Sequence, residues 1–363
     1  MQDGPASVTQ DAGEATVAHI AVVIPMYRAE AHIADVIRTI PTWVRTIVVV
    51  DDCSPDDSSR VVEELADPRV ALLRHEHNQG VGGATLTGYR EAARRGATVL
   101  VKMDADGQMD PAGLPALTAP ILRGVADYTK GNRFLHVREL RSMPLLRRVG
   151  NLGLSFMTKL ASGYWRCFDP TNGYTAIHAR VVSLLDERRL GRRYFFETSM
   201  LFELGLQRAV VRDVFLPARY GDETSNLSEW KSLLAFPPRQ LRGFVRRIWT
   251  QYFMRDFGLM PVFLVSGVLA TLFGVVFGAW NWWISYTTGE LATTGTVMLS
   301  LLPIIVGVQL LLQAILLDVQ SEPQAPLHVD MQEDSRAFAN FLADVEDAPV
   351  LDKHKPGSQT QAG

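Results

Sequence analysis

Between residues 257 and 317 the sequence carries one charged residue, Glu290. Within that stretch, residues 259–284 and 297–317 are each apolar and long enough to cross a hydrocarbon core of ~30 Å as a helix. A segment like this constrains the chain more than any other feature, because backbone groups in lipid must be satisfied inside their own helix. A buried helical hairpin in a soluble protein is the competing reading, and length and apolarity weigh against it. The linking residues 285–296 are short, polar and free of Lys and Arg, whereas bases precede the first span. The positive-inside rule then puts the amino-terminal part in the cytoplasm and the link outside, and two crossings return the tail to the cytoplasm.

The remainder of the 363 residues suffices for one large or two small domains with a full core. Two cysteines, Cys53 and Cys167, exclude a disulfide scaffold and a four-cysteine zinc site. The net charge of −3 hides an uneven distribution. Residues 1–18 hold three acids and no base, and residues 318–363 hold nine acids and three bases. The body between them is therefore basic, which suits an anionic substrate or an anionic membrane face. Residues 1–18 lack the apolar run of a secretory signal and read as a disordered leader. The acidic residues 319–363 read as a mostly disordered tail.

From Ile20 onward short apolar runs alternate with helical stretches. The runs 20–24, 46–50, 69–73 and 98–103 are rich in Val and Ile, as buried strands are. Residues 30–40, 57–66 and 83–95 between them predict helices. This alternation predicts an α/β domain with a mostly parallel sheet covered on both faces. Ligands of such sheets bind at the carboxyl ends of the strands. Asp51-Asp52 and Asp104 lie at two of those ends. Residues 228–256 mix Trp230, Trp249, Tyr252 and Phe253 with Lys231, Arg239, Arg242, Arg246 and Arg247. The pattern fits helices lying in a membrane interface, and an ordinary amphipathic surface helix equally; the adjacent spans favour the interface.

The strongest chemical cluster is Asp104-Ala105-Asp106-Gly107-Gln108. Two carboxylates two residues apart at a strand end can share a divalent cation, and hard oxygen ligands suit Mg²⁺ or Mn²⁺. A plain acidic turn has the same letters; the position after a buried strand favours the metal. A carboxylate in Asp51-Asp52-Cys53-Ser54 can accept from a base or a ribose, while Ser54 and Asp56 are also good helix caps. The run from His77 to Ala84 opens a helix with glycines that could leave N–H groups near a phosphate. Its spacing does not fit a dinucleotide fingerprint. Asp169 fits a base, a partner that orients an arginine, or a turn cap. Glu197 opens an apolar helix, where a lone acid could touch the sugar or the acceptor, though a helix-start acid is the cheaper explanation.

Taken together these blocks resemble the family 2 glycosyltransferases. Residues 25–30 (PMYRAE) look like the family's opening Pro-x-Tyr-Asn-Ala/Glu-Glu, and 51–54 (DDCS) like its Asp-Asp-Gly-Ser. Residues 104–108 (DADGQ) match Asp-Ala-Asp-x-Gln. Residues 131–134 (GNRF), 169–174 (DPTNGY) and 219–221 followed by Ser225 are similar to the later blocks of the polyprenyl-phosphate sugar synthase branch, which includes the dolichol-phosphate mannose synthases. The resemblance covers residues 20–318. It implies a GT-A-type nucleotide-sugar-binding domain over 19–227, interfacial helices over 228–256 and a two-span hairpin over 257–318.

The resemblance further implies inverting transfer of one hexose, mannose or glucose in preference, from a GDP- or UDP-sugar to a polyprenyl phosphate. Pro25, Tyr27, Glu30 and Asp52 would hold the nucleoside. Asp104 and Ala105 would meet nucleotide and sugar, and Asp106 and Gln108 the metal. Arg133 and Arg219 would face phosphates, with Arg148 as a further candidate for the acceptor phosphate. Arg28, Cys53 and Asn226 depart from the family's Asn, Gly and Lys. A processive polysaccharide synthase is the first alternative, but Gln251-Tyr252-Phe253-Met254-Arg255 lacks the spacing and Trp of its Gln-x-x-Arg-Trp. A non-catalytic, membrane-anchored nucleotide-binding scaffold is the second.

Overall fold

The computed structural model describes residues 18–132, 145–193, 195–216 and 229–335. Seven strands form one sheet: β1 (Ile20–Met26), β2 (Thr46–Asp51), β3 (Val70–Arg74), β4 (Val99–Lys102), β5 (Tyr128–Asn132), β6 (Thr175–His178) and β7 (Val211–Phe215). Their spatial order is β3-β2-β1-β4-β6-β5-β7. All run the same way except β6, which is antiparallel to both β4 and β5. The expected parallel core is therefore present, with one reversed strand inserted beside it.

The strands are apolar on both faces because helices cover both. Val22, Ile24, Ile47, Val49, Val99 and Val101 pack with helices α1 (Ile33–Thr39) and α4 (Leu114–Leu122) through Ile33, Ile37, Leu114, Leu117 and Ile121. The alternate residues Ala21, Val23, Val48, Val50 and Leu100 face the other way. They pack with α3 (Gly80–Arg94) and α7 (Phe196–Gln207) through Ala84, Tyr89, Met200, Leu201 and Leu204. The remaining helices of this domain are α2 (Ser58–Glu64), α5 (Leu145–Ser162) and α6 (Ala179–Val182).

Beyond the sheet, α8 (Glu229–Ile248) continues into a wider π-type turn, Trp249–Arg255, and then into two long helices, α9 (Leu259–Thr288) and α10 (Thr294–Gln320). Both long helices are long and apolar enough to cross a membrane, and only 11% of each apolar window is buried. That exposure weighs against a soluble hairpin, whose apolar surface would be covered. They pack closely on each other through small residues: a Cβ on Gly274 would lie 2.6 Å from the Ser300 carbonyl oxygen, and one on Gly267 3.0 Å from that of Gly307. Such stripes let helix backbones approach in lipid. Exposed Trp280, Trp282, Trp283 and Tyr286 lie on the last turns of α9, about 32 to 40 Å along the axis from Leu259, where exposed Phe257 and Trp249 mark the other end.

The first part of the acidic tail has defined structure. Residues 327–335 are helical, and Leu327 and His328 pack onto the sheet domain. His328 is buried and meets the equally buried Asp127 through its ring Nδ1 at 2.7 Å and its backbone N–H at 2.9 Å. The Leu327 and Val210 N–H groups donate to the same carboxylate. The sequence pattern missed this because the contact is made across 201 residues, to a carboxylate whose burial no local rule shows.

Candidate active site

The carboxyl ends of β1, β2 and β4 lie side by side, and β6 begins at the same edge. The expected residues at these ends are thereby brought together: Pro25 and Tyr27 after β1, Asp52 after β2, Asp104–Gln108 after β4, and Asp169 in the loop before β6. Arg133 follows β5 in sequence, and Arg219 follows β7; both lie outside the described residues. Arg148 falls on α5, in the part whose side chains are not described.

The β4 loop turns at Gly107, whose φ of +75° suits a residue without a Cβ. Asp106 and Gln108 are exposed on this turn, and Asp106 Oδ1 accepts the Gln108 N–H at 3.0 Å. Tyr174 fastens the loop by donating its hydroxyl to the Asp110 carbonyl at 3.0 Å. Among the described residues no three His, Cys, Asp or Glu side chains converge as a closed metal set. The carboxylate and amide oxygens of the turn fit a hard divalent cation as a partial shell, which a diphosphate could complete.

Asp104 is not isolated. Its Oδ1 lies 2.6 Å from the Lys102 Nζ, which also lies 3.2 Å from Glu197 Oε1 and 3.4 Å from the Gly173 carbonyl. Lys102 is fully buried; burial opposes its charge, but Asp104 and Glu197 outweigh it and raise its pKa above the usual lysine range. Glu197 is thus brought to the Lys102–Asp104 pair at the carboxyl end of β4, although its place at a helix start gave a simpler explanation. Lys102 carried a signal of its own: a lysine inside an apolar strand must find a counter-charge.

Asp52 is placed at the expected strand end but is committed internally. Its Oδ1 accepts from the Gln79 N–H and meets His75 Nδ1, both at 2.8 Å, and its Oδ2 accepts the Gly80 N–H at 2.7 Å. It therefore caps α3 and joins β2 to that helix. The phosphate-cradle reading of the glycine run fails for the same reason. The Gly82 N–H donates to the Arg192 carbonyl, and Cβ atoms on Gly80 and Gly82 would strike the backbone of residues 191–192. The glycines exist so that the loop leading to Glu197 can lie against α3.

Arg28 and Cys53 hold left-handed backbone, with φ of 54° and 59°. The residues expected there by resemblance, Asn and Gly, are the types that tolerate this region. The Arg28 N–H donates to Ser54 Oγ at 3.0 Å, and the guanidinium stacks 5.4 Å over the Tyr27 ring. Glu30 Oε2 accepts the Asp57 N–H at 3.3 Å, so the β1 and β2 loops interlock. Asp169 is buried, and its carbonyl accepts the Asn172 N–H at the turn before β6.

Residues 21–185 match the family model described as Glycosyl transferase family 2. The UDP-N-acetylglucosamine–dolichyl-phosphate N-acetylglucosaminyltransferase of Methanococcus voltae is 34% identical over 48% of this chain and 75% of its own length. The chain belongs to glycosyltransferase family 2. The undecaprenyl-phosphate mannosyltransferase of Micrococcus luteus is 31% identical over 48% of this glycosyltransferase and 74% of its own chain. Among solved structures, glucosyl-3-phosphoglycerate synthase from Mycobacterium tuberculosis, in complex with Mn²⁺, UDP-glucose and phosphoglyceric acid, aligns with a TM-score of 0.48 and 20% identity, covering 64% of this chain and 80% of that one. The seven-stranded, mostly parallel sheet of the glycosyltransferase is GT-A-like, and its chemistry is sugar transfer.

Proposed function

We propose that this glycosyltransferase moves one hexose from a GDP- or UDP-sugar to a polyprenyl phosphate, with inversion, at the cytoplasmic face of the cell membrane. The observation that carries the reading is the contact between α8, which leads into the apolar hairpin, and the residue just before α7, the helix that carries Glu197. Arg239 of α8 stacks 5.5 Å from the ring centroid of Phe195, two residues before Glu197, and Gln240 Nε2 donates to Thr158 of α5 at 2.9 Å. The same helix exposes Leu241 and Val245, and the turn that leads from it into the hairpin exposes Trp249. An acceptor phosphate at headgroup level would therefore lie near the carboxyl edge of the sheet. The relatives named for transfer to dolichyl and undecaprenyl phosphates support the same acceptor class.

The nucleoside would lie over Pro25, Tyr27 and Glu30, with Asp52 shaping the loop rather than meeting the base. Asp106 and Gln108 would hold Mg²⁺ or Mn²⁺, which would stabilise the charge growing on the diphosphate. A phosphate monoester with a second pKa of ~6 is mostly ionised at neutral pH, so Asp169 need not act as a base. Arginine forks match such an anion best, and Arg133, Arg148 and Arg219 are the candidates by sequence. The boundaries 19–227, 228–256 and 257–318 follow from the same reading, with both termini cytoplasmic.

The test uses membranes from cells overproducing the chain, a short polyprenyl phosphate, Mn²⁺ or Mg²⁺, and a panel of GDP- and UDP-sugars. A sugar-lipid formed from one donor and lost in Asp106→Ala is the expected result. Absence of lipid product from every donor overturns the proposal.

A further inference from the structure

The sheet order carries information about which end of a donor lies where. The nucleoside candidates sit at the ends of β1 and β2, β4 follows, and β6 lies beyond it. A nucleotide sugar lying along this edge, as the proposed function requires, puts its diphosphate over the β4 loop and its hexose toward β6 and the start of α7. At that place the structure holds Lys102 between Asp104 and Glu197. Side-chain exposure rises from 1% at Lys102 through 12% at Glu197 to 32% at Asp104, so the cluster opens through its carboxylates.

We propose that Lys102 is a positioning residue that holds Asp104 and Glu197 together as the hydroxyl-binding wall of the donor's hexose subsite. One ammonium against two carboxylates leaves an anionic, acceptor-rich surface. That surface suits neutral hydroxyl donors and repels phosphate, so the pair addresses the sugar and not the diphosphate. Lys102 reaches neither ligand part itself; it fixes the two carboxylates that do. Gly173 completes the arrangement, since a Cβ there would lie 2.7 Å from Lys102 Nζ and 2.9 Å from Asp104 Oδ2.

The experiment titrates the full chain in detergent with UDP, GDP, UDP-glucose, UDP-N-acetylglucosamine and GDP-mannose in the presence of Mn²⁺. Lys102→Met is expected to bind the matching nucleoside diphosphate within about twofold of the parent, and the nucleotide sugar about tenfold more weakly. Glu197→Gln keeps the lysine in place and is expected to show the same selective loss, which covers the case of a Lys102→Met chain that does not fold. Lys102→Arg, which preserves the charge, is expected to recover most of the sugar affinity. Equal weakening of diphosphate and sugar in Glu197→Gln, or no weakening of either, overturns the inference alone. A parent chain that binds none of the five nucleotides overturns the nucleotide-sugar reading and this inference with it.

Discussion

Arg247 on α8 and Asp318 near the end of α10 form a two-pronged ion pair, with Nη1–Oδ1 at 2.7 Å and Nη2–Oδ2 at 3.0 Å. Both side chains are almost wholly buried. The Tyr252 hydroxyl and the Trp165 indole N–H donate to the same carboxylate, and Arg247 also reaches the Leu160 carbonyl at the end of α5. One carboxylate near the end of α10 therefore gathers the π-type turn, α8 and the sheet domain.

Removing one partner leaves a buried charge uncompensated. Asp318→Asn is expected to destabilise the chain in detergent by about 3 kcal/mol or more. Arg247→Met combined with Asp318→Leu removes both charges and is expected to recover most of that loss. Chemical denaturation of the two variants checks this, and a double variant as unstable as the single one would contradict it.

Cys53 sits at a φ of 59°, where a Cβ is unfavourable. Cys53→Gly is expected to stabilise the chain by about 1 kcal/mol, the relief of left-handed strain exceeding the added freedom of the unfolded chain. A melting temperature at or below that of the parent would show that the strain is relieved in another way.

His178 stacks on His328 at 4.3 Å between ring centroids, and its pKa is lowered to about 4, by burial first and then by His328 and Arg180. The unfolded chain takes up a proton at this position near pH 6.5, whereas the folded chain does so only near pH 4. Stability from this group is thus fully present above pH 6.5 and falls as the pH drops toward 4. His178→Phe keeps the stacking ring and removes the proton site. Its stability is expected to fall less between pH 6.5 and 4 than that of the parent in parallel denaturation curves.

Gly173 leaves no room for a methyl group beside Lys102 and Asp104. Gly173→Ala is expected to lower turnover by about tenfold or more by displacing these groups, while the melting temperature moves little. Unchanged turnover would mean that the Lys102–Asp104 contact moves without cost.

How much was legible follows from the range of each signal. The strands at 20–24 and 46–50, the helix at 83–95 and the two apolar spans were written in local periodicity and length, because burial on both faces or in lipid demands unbroken apolar runs. Asp104, Asp106 and Gln108 were legible as a motif, since their chemistry lies within five consecutive residues. The reversal of β6, the capping of α3 by Asp52, the meeting of Lys102 with Glu197 and the docking of His328 on Asp127 were not. Each joins residues far apart in the chain, or turns on which of several acceptors a buried charge finds. The sequence alone determined which segments must be buried and which residues can carry charge chemistry, because hydrophobic period and residue type are local. Only the tertiary structure decided which charges meet, because a buried ammonium or carboxylate is satisfied by whatever partner packing brings within about 3 Å, whatever the distance along the chain.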